Sequence, residues 1–190
     1  MTNNDYLRRL RFIFQLNDKK VADIFKLAQH KIDISDIPLW LKKDEDKDFK
    51  EIKDIDFAAF LNGFINLKRG KKEGAQPKPE HKLNNNIVLR KLKIALNWQD
   101  DNIIKLLESV NFRIGRSELS AFFRKEDNRH YRACQSQLMR NLFRALQQQQ
   151  RPDAPVTREK IDSQPRNANK PQYGRQQIQI WKPKPKTNKD

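Results

Sequence analysis

Two side chains that can bind a metal or act as nucleophiles, His130 and Cys134, stand four positions apart. On a helix, that spacing would place the imidazole and the thiol on one face. A structural zinc site needs about four ligands, and the other histidines, His30 and His81, lie far from this pair in the sequence. We therefore predict no metal site and interpret both side chains as ordinary half-buried residues.

Two pairs of adjacent carboxylates, Asp44–Glu45 and Glu126–Asp127, have the residue type that general acid–base catalysis uses. Each pair directly follows two bases, so ion pairing is the simpler hypothesis. The expected partners are bases at matched positions on a predicted first helix: Arg8, Arg11, Arg90 and Lys93. The glycines form no phosphate-binding loop, and no nucleophile elbow is present. The sequence predicts no catalytic residue, no cofactor and no enzyme activity.

These acids and bases belong to a sequence motif that occurs twice in the chain. ISDIPLWLKKDEDKDF begins at Ile34 and RSELSAFFRKEDNRHY begins at Arg116, an offset of 82 positions. Three further segments match in the same register without a gap, beginning with Leu7 against Leu89. Four matches in one register indicate a duplication.

Apolar residues in each matched segment recur at i, i+3, i+4 and i+7, the spacing of one face of an α-helix. No alternating apolar run is long enough for a sheet. The predicted helices cover residues 4–16, 18–30, 35–43, 54–68, 86–98, 100–111, 117–125 and 131–149. The predicted fold class is all-α, with two pseudo-repeated four-helix modules and a disordered basic C-terminal tail. The boundaries are 4–70 for the first repeat, 71–85 for the linker, 86–150 for the second repeat and 151–190 for the tail.

Polar residues at the predicted helix starts are candidate N-caps. Asp18 and Asp100 would cap the second helix of each copy, and Ser35 and Ser117 the third. The run Asn84–Asn86 offers a choice of caps for the fifth helix, and we favour this role over base recognition. The Gly-, Pro- and Lys-containing linker before it is predicted to be flexible or partly extended.

The size of one copy, the cysteine count and the lack of long apolar runs indicate how the copies assemble and where the protein is located. A copy of about 65 residues is marginal alone, so the copies are expected to pack together or to form a homodimer. The single cysteine excludes an intramolecular disulfide. No signal-peptide pattern follows Met1 and no apolar run approaches membrane-spanning length. We therefore expect a cytoplasmic protein without membrane contact.

Positive charge is concentrated in the second half of the chain. The formal net charge is +16. Residues 1–70 carry 14 bases and 12 acids, whereas residues 85–146 carry 12 bases and 6 acids, and residues 147–190 carry 10 bases and 4 acids. A field of this sign attracts polyanions. The second repeat and the tail are therefore expected to meet the partner.

The tail contains one apolar island, YGRQQIQIWKPKPK, from Tyr173 to Lys186. Its aromatic residues would stack on unpaired bases while its lysines follow the phosphates. Alternatively, the Ile-x-Ile alternation would add as a strand to a protein partner, or fold onto a groove of this protein. A solubilising tail with no defined contact is the third interpretation.

Several segments resemble a known bacterial family. They are NNDYLRRLRFIF at 3–14, WLKKDEDKDF at 40–49, FLNGFINLKRGK at 60–71 and LNNNIVLRKLKIAL at 83–96. The chain resembles the YehS-like family, which is built from a tandem domain of unknown function. The resemblance covers about residues 3–148 and implies a duplicated all-helical module. It implies no activity, substrate or catalytic residue, and the tail is longer than the family pattern.

These observations favour a non-enzymatic nucleic-acid-binding protein that prefers RNA or single-stranded DNA. A duplex site is disfavoured because the third helix of each copy begins with acidic residues, which suit base edges poorly. The predicted binding residues of the second repeat are Arg90, Lys91, Lys93, Arg113, Arg116, Arg124, Lys125, Arg129 and Arg132. Those of the tail are Tyr173, Arg175, Trp181, Lys182, Lys184 and Lys186. The alternative function is a protein–protein adaptor that binds through the groove between the repeats or through the tail island at 173–186.

Overall fold

Eight α-helices and no β-strand occur in residues 1–154, the part of the chain that the computed structural model describes. The helices are α1 (Asn3–Ile13), α2 (Asp18–Leu27), α3 (Asp36–Leu41), α4 (Asp54–Arg69), α5 (Asn85–Ala95), α6 (Asp100–Glu108), α7 (Arg116–Ala121) and α8 (Ser136–Gln150). Four helices fall in each copy of the repeat, in matched order. The all-α prediction with two pseudo-repeated modules is confirmed for these residues. None of their helices is long and apolar enough to cross a membrane.

The first two helices of each repeat end about three residues earlier than the periodicity predicts. Gln15 and its counterpart Asn97 have φ values of 51° and 54°, and Gln29 and Asn111 have φ values of 57° and 60°. A residue in the left-handed region stops an α-helix. Because none of the four is glycine, the usual sequence signal for such a stop is absent.

Three of the four predicted caps are wrong, and the fourth forms no bond. The side chain of Asn17, not Asp18, caps α2, and Gln99 precedes α6. The carboxylate of Asp18 instead pairs with Arg11 at 2.9 Å. Ser35 occupies the N-cap position of α3 without a side-chain bond, and Ser117 lies inside α7.

The two repeats share one hydrophobic core to which all eight helices contribute. Helix α4 packs against α5, and its counterpart α8 packs against α1. Exchanging the repeats exchanges these two contacts, so the arrangement has pseudo-twofold character. Tyr6 lies at this junction, with its ring 5.4 Å from that of Phe143 and its hydroxyl donating to Asn85 Oδ1 at 2.7 Å. Burial raises the pKa of the Tyr6 phenol, which keeps it a donor. The prediction that the copies pack together is therefore confirmed.

The linker contains no helix or strand up to residue 84, and side chains of α4 bond to it at three positions. Asn62 Nδ2 donates to the Pro77 carbonyl at 3.2 Å, and Asn66 Nδ2 donates to Gln76 Oε1 at 2.8 Å. At the end of the linker, the Leu83 amide donates to an Asp54 carboxylate oxygen at 2.9 Å. These bonds tie down a linker whose composition predicted a flexible or partly extended connector.

Candidate nucleic-acid interface

The site begins with two equivalent loops that join the third and fourth helices of each repeat. The α3–α4 loop covers residues 42–53, and the α7–α8 loop covers residues 122–135. Neither loop contains a helix or a strand. Each must therefore satisfy its backbone polar groups through other contacts.

A buried asparagine on α5 holds the α7–α8 loop in shape. Asn86 Nδ2 donates to the carbonyls of Phe122 and Arg132, at 3.0 and 2.7 Å. Its Oδ1 accepts from the Cys134 amide at 2.9 Å. One side chain thus ties both ends of the loop to the helix.

The matched asparagine on α1 does the same in the first repeat. Asn4 Nδ2 donates to the carbonyls of Trp40 and Lys50, at 2.9 and 2.8 Å, and its Oδ1 accepts from the Ile52 amide at 3.1 Å. Each of these partners lies 82 positions before its counterpart in the second repeat. Residues Asn84–Asn86 were predicted to offer a choice of caps, and Asn84 has that role, accepting from the Ile87 amide. The sequence signal for the role of Asn86 was its match to Asn4 in the register of the repeat.

A shared carbonyl brings two arginines of the α7–α8 loop together although they are eight positions apart. The backbone amides of Arg124 and Arg132 both donate to the Ala121 carbonyl, at 3.5 and 3.3 Å. The Leu39 carbonyl accepts the two equivalent bonds in the first repeat. The loop backbone therefore positions the bases.

The α7–α8 loop, α7 and the start of α8 enclose an open groove of about 850 Å³. Arg124, Arg129 and Arg132 line it together, and Tyr131 adds an aromatic wall. Glu118 is the one carboxylate among the described residues that line the groove. The groove thus combines three cations with aromatic surface, a combination typical of sites for single-stranded nucleic acids.

Two of the three corresponding bases of the first repeat, Lys42 and Lys50, are held by carboxylates of the α3–α4 loop and of α3. Lys42 Nζ lies 2.6 Å from an Asp48 carboxylate oxygen and 3.1 Å from one of Asp46. Lys50 pairs with Asp36 at 2.6 Å. The hydrogen bonds that the Lys42 ammonium donates to Asp48 and Asp46 raise its pKa, so it stays charged and paired.

The second repeat keeps the turn but lacks the two acids that pair with Lys42 in the first. Asn128 and His130 stand where the first repeat has Asp46 and Asp48. The His130 amide donates to Asn128 Oδ1 at 2.9 Å, and the Asp48 amide donates to Asp46 Oδ1 at 3.0 Å. An asparagine oxygen supports the same turn as a carboxylate without its charge.

Comparisons with known proteins place this repeated architecture in a family. The family described as "Protein of unknown function (DUF1456)" matches residues 3–70 and again residues 85–151. The chain belongs to the DUF1456 family. It is 37% identical over 147 residues to "Uncharacterized protein YehS" of Escherichia coli (strain K12), which covers 77% of this chain and 94% of that relative. No solved structure matched the chain.

Outside the groove, several predicted bases of the second DUF1456 repeat are engaged in local contacts. Arg90 is exposed and donates to the Phe123 carbonyl at 2.9 Å. Lys93 pairs with Asp100 and lies 4.5 Å from the centre of the Phe123 ring. Arg116 is exposed and pairs with Asp101.

Two other predicted bases are exposed elsewhere on the second DUF1456 repeat. Lys125 is exposed within the α7–α8 loop, beside the groove-lining Arg124. Arg113 is also exposed and lines a separate cavity of about 710 Å³ with Glu108 and Asn111. The groove therefore gathers three of the nine predicted bases of this repeat.

Lys91 was wrongly predicted to lie on the basic surface. It is 7% exposed, and its ammonium lies 2.9 Å from a Glu80 carboxylate oxygen and contacts Asn62 Oδ1. A buried charge of this kind requires such partners. Lys91 fastens the linker to α4 and α5, and it is not available to a ligand.

The predicted tail residues lie outside the described residues. They are Tyr173, Arg175, Trp181, Lys182, Lys184 and Lys186. The tail's predicted disorder falls on the same segment, apart from the described residues 151–154. Both therefore stay predictions.

His130 and Cys134 do not share a helical face, because α8 begins at Ser136 and not at 131. His130 is exposed in the α7–α8 loop, where its Nε2 accepts from Arg129 Nε at 2.8 Å. Cys134 is buried, and this burial raises the pKa of its thiol to about 12. A thiol of that kind is a packed core group, not a nucleophile.

The predicted ion pairing of the repeated acids holds in the first DUF1456 repeat. Arg8 on α1 lies 3.0 Å from Asp44 and 2.8 Å from Asp5. In the second repeat, Glu126 instead accepts from Asn84 Nδ2 at 2.8 Å. The acids therefore fix loops to first helices by two different bonds.

Proposed function

We propose that this chain is a non-enzymatic nucleic-acid-binding protein that binds single-stranded RNA or DNA in the groove of the second repeat. One observation carries the proposal. Three arginines line this groove with a single carboxylate, whereas two of the three equivalent bases of the first repeat, Lys42 and Lys50, are held in ion pairs. The proposed location is the cytoplasm.

Arginine suits phosphate because its planar guanidinium donates two parallel hydrogen bonds to oxyanions. The proteins that hold single strands combine such cations with aromatic faces on which bases stack. Tyr131 and Phe112 line the groove beside the arginines. The overall charge of +16 supports attraction to a polyanion over longer distances.

A single strand is preferred over a duplex for a geometric reason. Helix α7 has six residues and carries an exposed carboxylate, Glu118, on the groove. A helix that enters the major groove needs donors along an exposed face. The arginines come instead from an irregular loop, which suits a flexible strand.

The test measures affinity for a labelled single-stranded oligouridylate by fluorescence anisotropy as salt is raised. Log affinity should fall linearly with log salt, with a slope of about −0.7 for each phosphate contacted. Replacing Arg124, Arg129 and Arg132 together by glutamine should reduce the steepness of that slope by about 2. Binding that is absent, or independent of salt, contradicts the proposal.

A matched control removes the same charge from the first repeat. Lys19, Lys20 and Lys31 are exposed there, and their triple replacement by glutamine also lowers the net charge by three. This control should retain most of the affinity. An equal loss in both variants would mean that only net charge matters.

The adaptor function stays a second prediction. It requires a stoichiometric protein partner that co-purifies from cells and survives nuclease treatment and moderate salt. Nucleic-acid binding instead predicts that nuclease treatment removes the co-purifying material.

A further inference from the structure

We infer that the α7–α8 loop binds a backbone phosphate of the single strand, and that the α3–α4 loop is the same site closed by its own carboxylates. The identity of the polymer rests on the proposed function. The chain would then have one open phosphate site and one self-occupied copy of it.

The two loops share one backbone scaffold. Besides the asparagine and shared-carbonyl contacts, each loop contains the same tight turn. The Asp46 amide donates to the Lys43 carbonyl at 3.0 Å, and the Asn128 amide donates to the Lys125 carbonyl at 3.0 Å. A difference in binding between the loops must therefore come from side chains.

In the first repeat, carboxylates already bind the ammonium groups of Lys42 and Lys50. Two carboxylate oxygens lie within hydrogen-bonding distance of Lys42 Nζ, and both come from its own loop. Lys50 Nζ is held by Asp36. An external phosphate would have to displace these intramolecular anions, which are present at high effective concentration.

In the second repeat, the equivalent cations lack such partners. Within residues 1–154, neither Arg124 nor Arg132 forms an ion pair, and Glu118, the counterpart of Asp36, pairs with neither. Arg129 donates through Nε to His130. Glu126 is directed to Asn84 and lies 3.5 Å from the Tyr131 hydroxyl.

The cations themselves also differ between the repeats. Lys42, Lys47 and Lys50 of the first repeat are replaced by arginine at all three matched positions of the second. Lysine is a point charge that pairs readily with a nearby carboxylate, whereas arginine binds phosphate through two parallel bonds. The loss of acids and the change to arginine both favour an external phosphate.

The decisive variant closes the open loop by copying the first repeat into it. Asn128→Asp with His130→Asp should weaken oligouridylate binding by about tenfold or more, because the new carboxylates pair with Arg124. The fold should survive, since Asp46 supports the same turn in the first repeat. Lys19→Gln with Lys20→Gln removes the same net charge elsewhere and should change affinity by less than about threefold.

The reverse variant opens the closed loop. Asp46→Asn with Asp48→His should strengthen oligouridylate binding and make the salt slope steeper, because Lys42 loses its two carboxylate partners and can contact a phosphate. Asp23→Asn with Glu73→Gln raises the net charge equally without touching the loop. Equal effects in these two variants would overturn the inference of a closed site.

Inorganic pyrophosphate, titrated by calorimetry, separates this inference from the proposed function. If Asn128→Asp with His130→Asp leaves oligouridylate binding unchanged, the inferred phosphate site is wrong, while the proposal of nucleic-acid binding still stands. The protein could instead bind pyrophosphate but not oligouridylate, with the variant removing pyrophosphate binding. That result contradicts the proposed polymer and supports an anion site in the loop. Loss of both ligands in this variant supports both proposals.

Discussion

Asn4 and Asn86 show how one side chain can organise a loop of about a dozen residues. Each makes three hydrogen bonds to backbone groups 36 to 48 positions away, and both are nearly fully buried. An amide is suited to this role because it donates and accepts at once. A carboxylate could not donate to the two carbonyls.

Replacing either asparagine by alanine should destabilise the protein by about 2–4 kcal/mol, because buried carbonyls and an amide lose their partners. The two losses should be similar, since the bonds match. Urea unfolding followed by circular dichroism measures the difference. Gln137→Ala, at an exposed position, should change stability by less than about 0.5 kcal/mol. An effect of Asn86→Ala as small as this control would contradict the role assigned to the side chain.

At the scale of elements, the helix pairs α2–α4 and α6–α8 are equivalent but differ at one contact. A Cβ atom on Gly63 would lie 1.9 Å from the Ile24 carbonyl oxygen. The matched residue on α8 is Ala145. Helix α4 therefore approaches α2 at a point where only glycine fits, whereas α8 accommodates a methyl group.

Gly63→Ala should destabilise the protein by about 2 kcal/mol or more, because backbone and not a flexible side chain must move. The reciprocal change, Ala145→Gly, should cost only about 1 kcal/mol from helix propensity and a small cavity. Thermal unfolding of both variants provides the comparison. A stabilising Gly63→Ala would show that the helices are not in close contact.

Helix existence and order were predictable from the chain because they depend on local periodicity. Helix ends were predicted less well. Gln15 and Asn97 adopt left-handed backbone without being glycine, and the α8 start was placed five residues early at 131. The segment 131–135 carries suitable residues for a helix, but Asn86 holds it as loop. A long-range contact thus overrides local preference.

For the whole molecule, the shared core implies that the two repeats unfold together. Tyr6 of the first repeat contacts Phe143 of the second, and its hydroxyl bonds to Asn85. Neither repeat can lose its structure without exposing apolar surface of the other. Domains with one core usually unfold in a single transition.

Trp40, buried in the first repeat, provides a local probe of this coupling. With Trp98→Phe and Trp181→Phe, it remains the only tryptophan. Its fluorescence should change at the same urea concentration as the circular dichroism of the full chain, because both repeats contribute to the helical signal. Two separate midpoints would mean that the repeats unfold independently.

By itself, the amino-acid sequence determined the duplication, the helical class and the positions of charge, since register, periodicity and residue type are local properties of the chain. The tertiary structure decided which charges are available. Lys91 and Arg90 are neighbours in sequence, yet one is buried against Glu80 and the other is exposed. Likewise, only folding brings Arg124 and Arg132 to one carbonyl and leaves Lys42 between two carboxylates. Burial and pairing depend on contacts between distant segments, and a pattern of neighbouring residues does not contain them.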